Sequence, residues 1–444
     1  MEFNLGFATL ESFLKRKDGS IQKINYAFIA AGQYGGRQGD ELARLGYHVS
    51  ALNTSDEDLK DLKIITKENT IKLKGYNGAV KDINRGQSAI KDNKDIIINL
   101  LKRPEIINAD HVFVIGGTGG GTGNAALPIL LTNLAKVRKP FNGKPSFGAI
   151  LSVPGSWEAR GIKKNAAWGL SHIKELVEAK ATGANIIVDN EKLYKLHEDI
   201  FSSVEKEIDW RDYGNTTLAA IIAEISFLTS LPSSKTFDSD ELRDVLSTPG
   251  YLALGKIEID SDLNEKEIPE LFTNAFITSP LASDFDYELD SENGFVTIIH
   301  PSKNEKNHIN ESLFKSIEEK YSKFISNAEK PHSGLIINSE WGKIRGKSKL
   351  TSNEHPKAIM YCGAVLNRLP HRIKEMLSEI KTEEEVLEKK RSERENDDLD
   401  LTAFKDVKKE VAAASQKVIK SEFDLFSDND TKTEKENDDW EFDI

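Results

Sequence analysis

The chain has 444 residues, of which 38% are hydrophobic and 30% charged, and its formal net charge is −12 at pH 7. That length allows two domains with appendages, the polar excess suits a soluble protein, and the acidic balance argues against broad, direct binding to nucleic acid. No stretch holds the roughly eighteen apolar residues that a bilayer span needs, and the N-terminus lacks a basic region followed by an apolar run, so a cytoplasmic protein without a membrane partner is expected. A single cysteine, Cys362, excludes an internal disulfide, and the nine histidines have no metal-ligand spacing, so no metal site built from protein ligands is expected.

In chain order, residues 8 to 17 carry a short amphipathic pattern (Leu10, Phe13, Leu14) closed by Asp18-Gly19. This predicts an N-terminal helical extension over 1–23, docked on its own domain or on a neighbouring subunit. Asn25 to Ala31 reads as a strand that runs into Gly32-Gln-Tyr-Gly-Gly-Arg-Gln-Gly39 and then an amphipathic helix to Gly46. A glycine loop between strand and helix is where a doubly wound sheet binds phosphate. A dinucleotide site would also need an acidic residue at the end of the second strand, but Tyr47 to Leu52 ends in Asn53-Thr54. Residues 75 to 88 form a polar loop with Asn77, Gly78, Ala79 and Gly86 before another helix.

The densest signal is Val112 to Asn124. Four apolar residues predict a buried strand, six glycines follow within eight positions, and Ala125 to Ile129 open a helix. Such a loop lets backbone N–H groups and a helix dipole meet an anion closely. The lysine of a Walker A loop is absent. Phe147 to Val153 is a further strand, followed by Pro154-Gly-Ser-Trp-Glu158 and a helix from Ile162 to Lys180. Ala184 to Val188 is another, ending in Asp189-Asn-Glu-Lys-Leu-Tyr194. Tyr213 to Leu231 reads as a helix apolar nearly all round, which predicts burial between two domains.

Gly119-Gly-Gly-Thr-Gly123 resembles the signature loop of the tubulin and FtsZ superfamily of GTPases. Five further stretches, in the right order, are similar to loops of that family. The loop at Gly32 is similar to the first tubulin loop, Asn53-Thr-Ser-Asp-Glu-Asp-Leu59 to the second loop of FtsZ, and Gly78 to Gly86 to the third, with Val80 where a glycine is expected. The resemblance implies a phosphate cradle from Gly32, Gln33, Tyr34, Asn53, Asn77, Gly78, Ala79, Gly117, Thr118, Gly119, Gly120, Gly121, Thr122 and Gly123. It puts Glu158 at the ribose, or leaves it a surface carboxylate; the family's arginine after it is Ile162 here, so Arg160 or Lys163 would substitute. Asn190 falls where an amide reads guanine, with helix capping as the alternative. Tyr213 falls at the stacking aromatic, and Thr217 at the second base-reading position.

Lys235 to Arg243 resembles the acidic seventh loop of FtsZ, with its two catalytic acids at Asp238 and Glu241; Asp240 competes for the role, and Thr236 replaces the usual asparagine. The implied cofactors are GTP or GDP with Mg2+, the ion held mainly through phosphate oxygens and water, with Gln33 near it. Phosphoryl transfer needs mostly positioning and charge stabilisation, and in the family the acidic loop serves the nucleotide of the next subunit. The implied partner is therefore a second copy, head to tail, in an open filament.

The expected fold is α/β: a doubly wound, mostly parallel GTP-binding domain (24–211), a central buried helix (212–231) and a smaller α+β domain (232–366). A C-terminal helix (367–395) and an acidic, largely disordered tail (396–444) complete it. Strands are expected at Tyr251 to Ile259, Gly294 to His300, Ser333 to Ile337 and Lys357 to Val365, with helices near 265–276 and 309–326. The tail has one helical stretch, Thr402 to Lys420, and aromatics in acidic surroundings (Phe423, Phe426, Trp440, Phe442) that suit an adaptor protein or serve a mere spacer. The mixture of tubulin-like and FtsZ-like loops looks most like the divergent phage and plasmid tubulins, the TubZ group, which implies positioning of phage or plasmid DNA. An FtsZ-like division GTPase and a non-polymerising GTP-binding regulator are the alternatives.

Overall fold

The structure is a computed structural model that describes residues 24–201, 208–231, 233–300, 308–329, 331–337 and 357–397, with side chains described as far as Arg391. The expected N-terminal helix, the 402–420 helix and the tail motif lie outside the described residues. Within them the chain runs β1 (Tyr26–Ala31), α1 (Gly32–Arg44), β2 (His48–Asn53), α2 (Asp56–Lys60), β3 (Thr70–Lys72), α3 (Ile83–Asp92), α4 (Lys94–Leu101), α5 (Pro104–Ile107), β4 (His111–Gly117) and α6 (Thr122–Val137). It continues through β5 (Phe147–Val153), α7 (Arg160–Glu178), β6 (Ala184–Asp189), α8 (Asn190–Phe201), α9 (Trp210–Leu228), β7 (Ser233–Lys235), α10 (Ser239–Ser247) and β8 (Gly250–Ile259). Last come α11 (Ile268–Ile277), β9 (Ser291–His300), α12 (Glu311–Phe324), β10 (His332–Ile337), β11 (Ala358–Leu366) and α13 (His371–Asp397).

Strands β1, β4 and β5 are almost continuously apolar because both faces are covered, and the two-residue period sorts their side chains into two layers. Tyr26, Phe28 and Ala30 of β1 join Phe113 and Ile115 of β4 in one core, which also takes in α9 and the inner strands of the C-terminal half. Ala27 and Ile29 join Val112, Val114, Ala149 and Leu151 in the other, beneath α6 and α7. A third core lies around Phe272, Tyr321 and Phe314.

The sheet order is β3-β2-β1-β4-β5-β6-β8-β11-β9-β10-β7. The strands from β3 to β6 are parallel, so the order reverses between β1 and β4, the switch point where such sheets bind ligands. The strands of the expected smaller α+β domain continue the same sheet. β6 and β8 are joined in parallel through Ala184 with Gly250 and Asn185 with Tyr251. Beyond that seam β11 is antiparallel to both β8 and β9, β10 is parallel to β9, and β7 closes the edge antiparallel to β10.

Helix α9 starts at Trp210, earlier than expected, and buries Leu218, Ile221, Ile222, Ile225 and Leu228. One of its side chains and one of its backbone carbonyls tie it to the two halves. Glu224 Oε2 accepts from Lys256 Nζ (2.6 Å) and from the Tyr361 hydroxyl (2.9 Å), and the Asn215 carbonyl accepts from Gln38 Nε2 (3.0 Å).

Candidate functional site

The loops after β1 and β4 flank the switch point and open into helices α1 and α6. Neither helix has a side-chain cap. Their first N–H groups therefore lack side-chain partners, and the positive ends of two helix dipoles face one space. Gly32 has φ +72°, and a Cβ there would lie 2.9 Å from the Gly123 backbone nitrogen, so the two loops meet backbone to backbone. Between them is a cavity of about 540 Å³. Thr54 and Thr122 hydroxyls are 2.7 Å apart across its floor.

The cavity collects most of the expected residues from six separate segments: Gly32, Gln33 and Tyr34; Asn53; Gly78 and Ala79; Gly117, Gly119 to Gly121, Thr122 and Gly123; Glu158; and Asn190. Glu158 and Asn190 touch each other. Glu158 Oε1 accepts from Asn190 Nδ2 (3.1 Å) and from the Gly155 backbone (3.2 Å). The Tyr34 phenol is buried, which pushes its pKa upward.

Six predicted residues stand elsewhere. Thr118 is buried and its hydroxyl donates to the Ser152 carbonyl (2.7 Å), so it braces the loop from behind. Asn77 is exposed outside the cavity lining. Tyr213 is buried with its ring 5.7 Å from Phe201 and 5.9 Å from His197, and neither it nor Thr217 lines the cavity. Burial raises the Tyr213 phenol, and a hydrogen bond with Thr217 eases that shift. Trp210, Arg211 and Asn215 line the cavity from the same helix instead. Neither Arg160 nor Lys163 lines the cavity: Arg160 Nε binds Glu383 on α13 (2.7 Å), and Lys163 faces the Ser156 carbonyl (3.5 Å). The cations that do line the cavity are Arg37, Lys81 and Arg211.

Val80 and Lys81 carry φ of +53° and +59°, and the Asp82 N–H returns to the Ala79 carbonyl (2.9 Å). Two positive φ values in a row are the signature of a type I′ turn, which favours Asn and Gly; a β-branched residue there is strained. Both residues line the cavity. Strain of this kind clusters at functional loops.

Asp238 and Glu241 do not line the cavity. Asp238 caps α10, accepting from the N–H groups of Asp240 (2.9 Å) and Glu241 (3.0 Å), and Glu241 Oε2 accepts from the Asp238 N–H (2.9 Å). Glu241 Oε1 also lies 3.5 Å from His332 Nδ1. Helix α10 sits at the N-terminal ends of the parallel strands: Arg243 pairs with Asp110 just before β4 (3.8 Å), and Lys144 just before β5 pairs with Asp244 (2.8 Å). The glycine loops leave the other ends. The seven residues of β4 separate the two sites by about 20 Å or more. The remaining acid competitor, Asp240, pairs with Arg243 (3.0 Å).

A glycine-lined cradle at the switch point of a doubly wound sheet, met by two uncapped helices, is the geometry with which α/β proteins hold phosphate groups. Comparison with known proteins is more specific. Residues 25–198 match the profile of the Tubulin/FtsZ family GTPase domain, and residues 224–378 match that of the TubZ-like C-terminal domain of Tubulin/FtsZ-like proteins. Together the two profiles span most of the chain, which belongs to the tubulin/FtsZ family. Among relatives, the tubulin-like protein TubZ of Bacillus cereus is 31% identical over 231 residues, half of this chain and half of that one. The cell division protein FtsZ of Buchnera aphidicola is 28% identical over 246 residues, 54% of this chain and 57% of that one. The chain spans about half the length of the curated relatives it matches.

Solved structures share the fold. A GTPγS-form protofilament of Bacillus thuringiensis serovar israelensis TubZ superposes with a TM-score of 0.67 at 19% identity, over 83% of this chain and 94% of that one. CetZ from Methanosaeta thermophila gives 0.62 at 19% identity, over 88% and 99%. No helix among the described residues is long and apolar enough to cross a membrane.

Proposed function

We propose that this protein binds and hydrolyses GTP and assembles head to tail into filaments, and that Asp238 and Glu241 of one subunit act on the nucleotide held by the next. The observation that carries this reading is the separation of cradle and acidic pair to opposite ends of one sheet. No subunit can bring its own carboxylates to its own cavity, while a second copy stacked end to end can. In this reading the cradle fixes the phosphates, and the incoming carboxylates orient the attacking water. A heterologous contact of this kind does not close and builds an open polymer.

The residues present suit Mg2+. Asp58 lines the cavity, and its carboxylate is held by Asn53 Nδ2 (3.0 Å) and Gln33 Nε2 (3.4 Å). Asp58 with Gln33 would hold the ion beside the phosphates, where it would neutralise phosphate charge. Asn190 and Glu158 would meet base and ribose, with Trp210, Arg211 and Asn215 closing that end in place of Tyr213 and Thr217. The cargo in this reading is phage or plasmid DNA, reached through an adaptor on the acidic tail. This part extends the resemblance to the phage and plasmid tubulins; TubZ of Clostridium botulinum phage c-st shares the fold, at a TM-score of 0.56 and 18% identity.

A second reading is favoured by the reciprocal hydrogen bonds of Asp238 and Glu241: the pair is only a helix cap, and the protein is a non-polymerising GTP-binding regulator. GTPase rate against protein concentration, with sedimentation of the same samples, separates the two. A rate per subunit that rises above a threshold, together with GTP-dependent pelleting, is expected. A constant rate without pelleting would end the filament reading.

A further inference from the structure

Beside Glu158 and Asn190 lies a half-buried charge cluster that belongs to the C-terminal helix as much as to the cavity. Arg372, in the first turn of α13, forks onto Asp189 at the end of β6. Its Nε donates to Oδ2 (2.6 Å), and Nη2 donates to Oδ1. Nη2 also donates to the Pro154 carbonyl (3.1 Å), and Nη1 lies 3.4 Å from Glu191 Oε2. Asp189 is 3% exposed. The guanidinium thus grips two loops at once, the one after β5 and the one after β6. Those loops carry Glu158 and Asn190 respectively, and a further bond from the Ser156 N–H to Glu191 Oε2 (3.1 Å) ties them together.

A cation in the first turn opposes the helix dipole, so helix stability does not account for this arginine. The dipole is answered separately by Asp284, whose carboxylate accepts from the Arg372 N–H (3.3 Å). Burial pushes the Asp189 carboxyl upward, against the arginine's pull. Two further pairs fasten α13 to α7 beyond the clamp: Glu383 with Arg160 and Glu384 with Lys164, each at 2.7 Å.

We propose that Arg372 is a positioning residue for the base-and-ribose end of the nucleotide site, setting Asn190 and Glu158 through Asp189, Glu191 and Pro154, so that guanine affinity depends on the seating of the C-terminal helix. The proposal rests on the nucleotide-binding reading above. Lysine cannot reproduce the fork, since it offers one point charge in place of a planar set of donors.

The test uses the full chain and its Arg372→Gln, Arg372→Lys and Asp189→Asn/Arg372→Gln variants, reading Kd for fluorescent GDP and GTPγS, competition by ATP, and thermal melting. Arg372→Gln should weaken guanine-nucleotide binding roughly tenfold or more and narrow the GTP-over-ATP preference, because small displacements of positioning groups cost on that scale. Arg372→Lys should fall between it and the parent. A melting temperature that drops while Kd and nucleotide preference stay at parental values would show a purely structural role and overturn the proposal. Should Arg372→Gln fail to fold because Asp189 is left buried and unpaired, the double variant removes that charge; it should fold and still bind weakly, and parental affinity in it would overturn the proposal. Failure of the parent chain to bind guanine nucleotide would overturn the underlying reading and this proposal with it, whereas parental binding in every Arg372 variant overturns the proposal alone.

Discussion

Replacing Asp238 by asparagine separates the cap role of its carboxylate from the catalytic role proposed above. As the cap of α10, Asp238 accepts two backbone N–H groups. Asparagine caps a helix about as well as aspartate, while alanine loses about 1 kcal/mol. Helix α10 is also held by buried Leu242, Val245 and Leu246, so even the alanine variant should fold. The chemistry should respond otherwise: loss of a carboxylate that orients water costs on the order of 10²-fold or more in rate, in both Asp238→Asn and Asp238→Ala. Melting temperature should therefore drop only for alanine, while GTPase activity falls in both and the filaments of both outlive those of the parent. A mixing assay then asks where the carboxylate acts. A cavity-blocked partner can be made at Gly120, where an added Cβ would meet only the Gly117 carbonyl at 3.7 Å, so a Gly120→Trp side chain enters the cavity without breaking the loop. Asp238→Asn/Glu241→Gln and Gly120→Trp chains should each be inactive alone. In a random equal mixture about one interface in four pairs an intact cavity with an intact acidic loop, so about a quarter of the parental rate should return. No recovery on mixing, in pellets that contain both chains, would refute catalysis across the subunit contact.

Trp210→Ala should weaken guanine-nucleotide binding about tenfold, the scale of one lost aromatic stacking contact, while Tyr213→Phe should change it less than threefold; calorimetric titration that reverses this order would return the base contact to Tyr213. Val80→Gly should raise stability by about 0.5–1 kcal/mol, since the turn no longer holds a β-branched residue at positive φ and the Val80 side chain, 80% exposed, contributes little packing. A lowered melting temperature would contradict it. Stability should also fall on acidification. His300 accepts from the Ile309 N–H (3.1 Å), and burial followed by its neighbour His308 lowers its pKa from 6.5 to about 4. The buried His111 shifts in the same direction. Between those pH values the unfolded chain binds more protons than the folded one, so the stabilisation present above pH 6.5 is lost as pH falls towards 4. Urea unfolding at pH 7 and pH 5 measures it, and His300→Gln should flatten the dependence.

The fold was legible where burial is two-sided or the period is long. β5 runs from Phe147 to Val153 as read, because a strand covered on both faces must be apolar throughout. The edge strands β3 and β7 were not seen, since three residues give no period to read. The continuity of the sheet was also hidden, because only two residue pairs join β6 to β8. The site shows the same division. Glycine loops between strand and helix declare themselves in the local chain, and their residues converge on one cavity. The lining by Trp210 and Arg211 depends on how the start of α9 docks. Trp210 and Tyr213 are one helical turn apart, so spacing alone cannot say which of them faces the cavity. Arg372 lies 183 residues from Asp189, beyond any local pattern.

The seam between β6 and β8 also limits how the molecule can move. Asn185 is fully buried there, with its amide donating to the Gly183 carbonyl (2.9 Å) and the Gly250 carbonyl (3.0 Å) and its oxygen accepting from the Ala149 N–H (3.0 Å). The bonds to Gly183 and Ala149 set the amide from its own half, and the bond to Gly250 crosses the seam, so prising the halves apart would break it at a cost of about 1 kcal/mol. With α9 bonded to both halves as well, the cradle and the acidic end are tied through the seam and the central helix. In the filament reading, a change felt at one end would reach the other as twist of the sheet or as helices sliding across it, and a stack of such subunits would pass load from strand to strand.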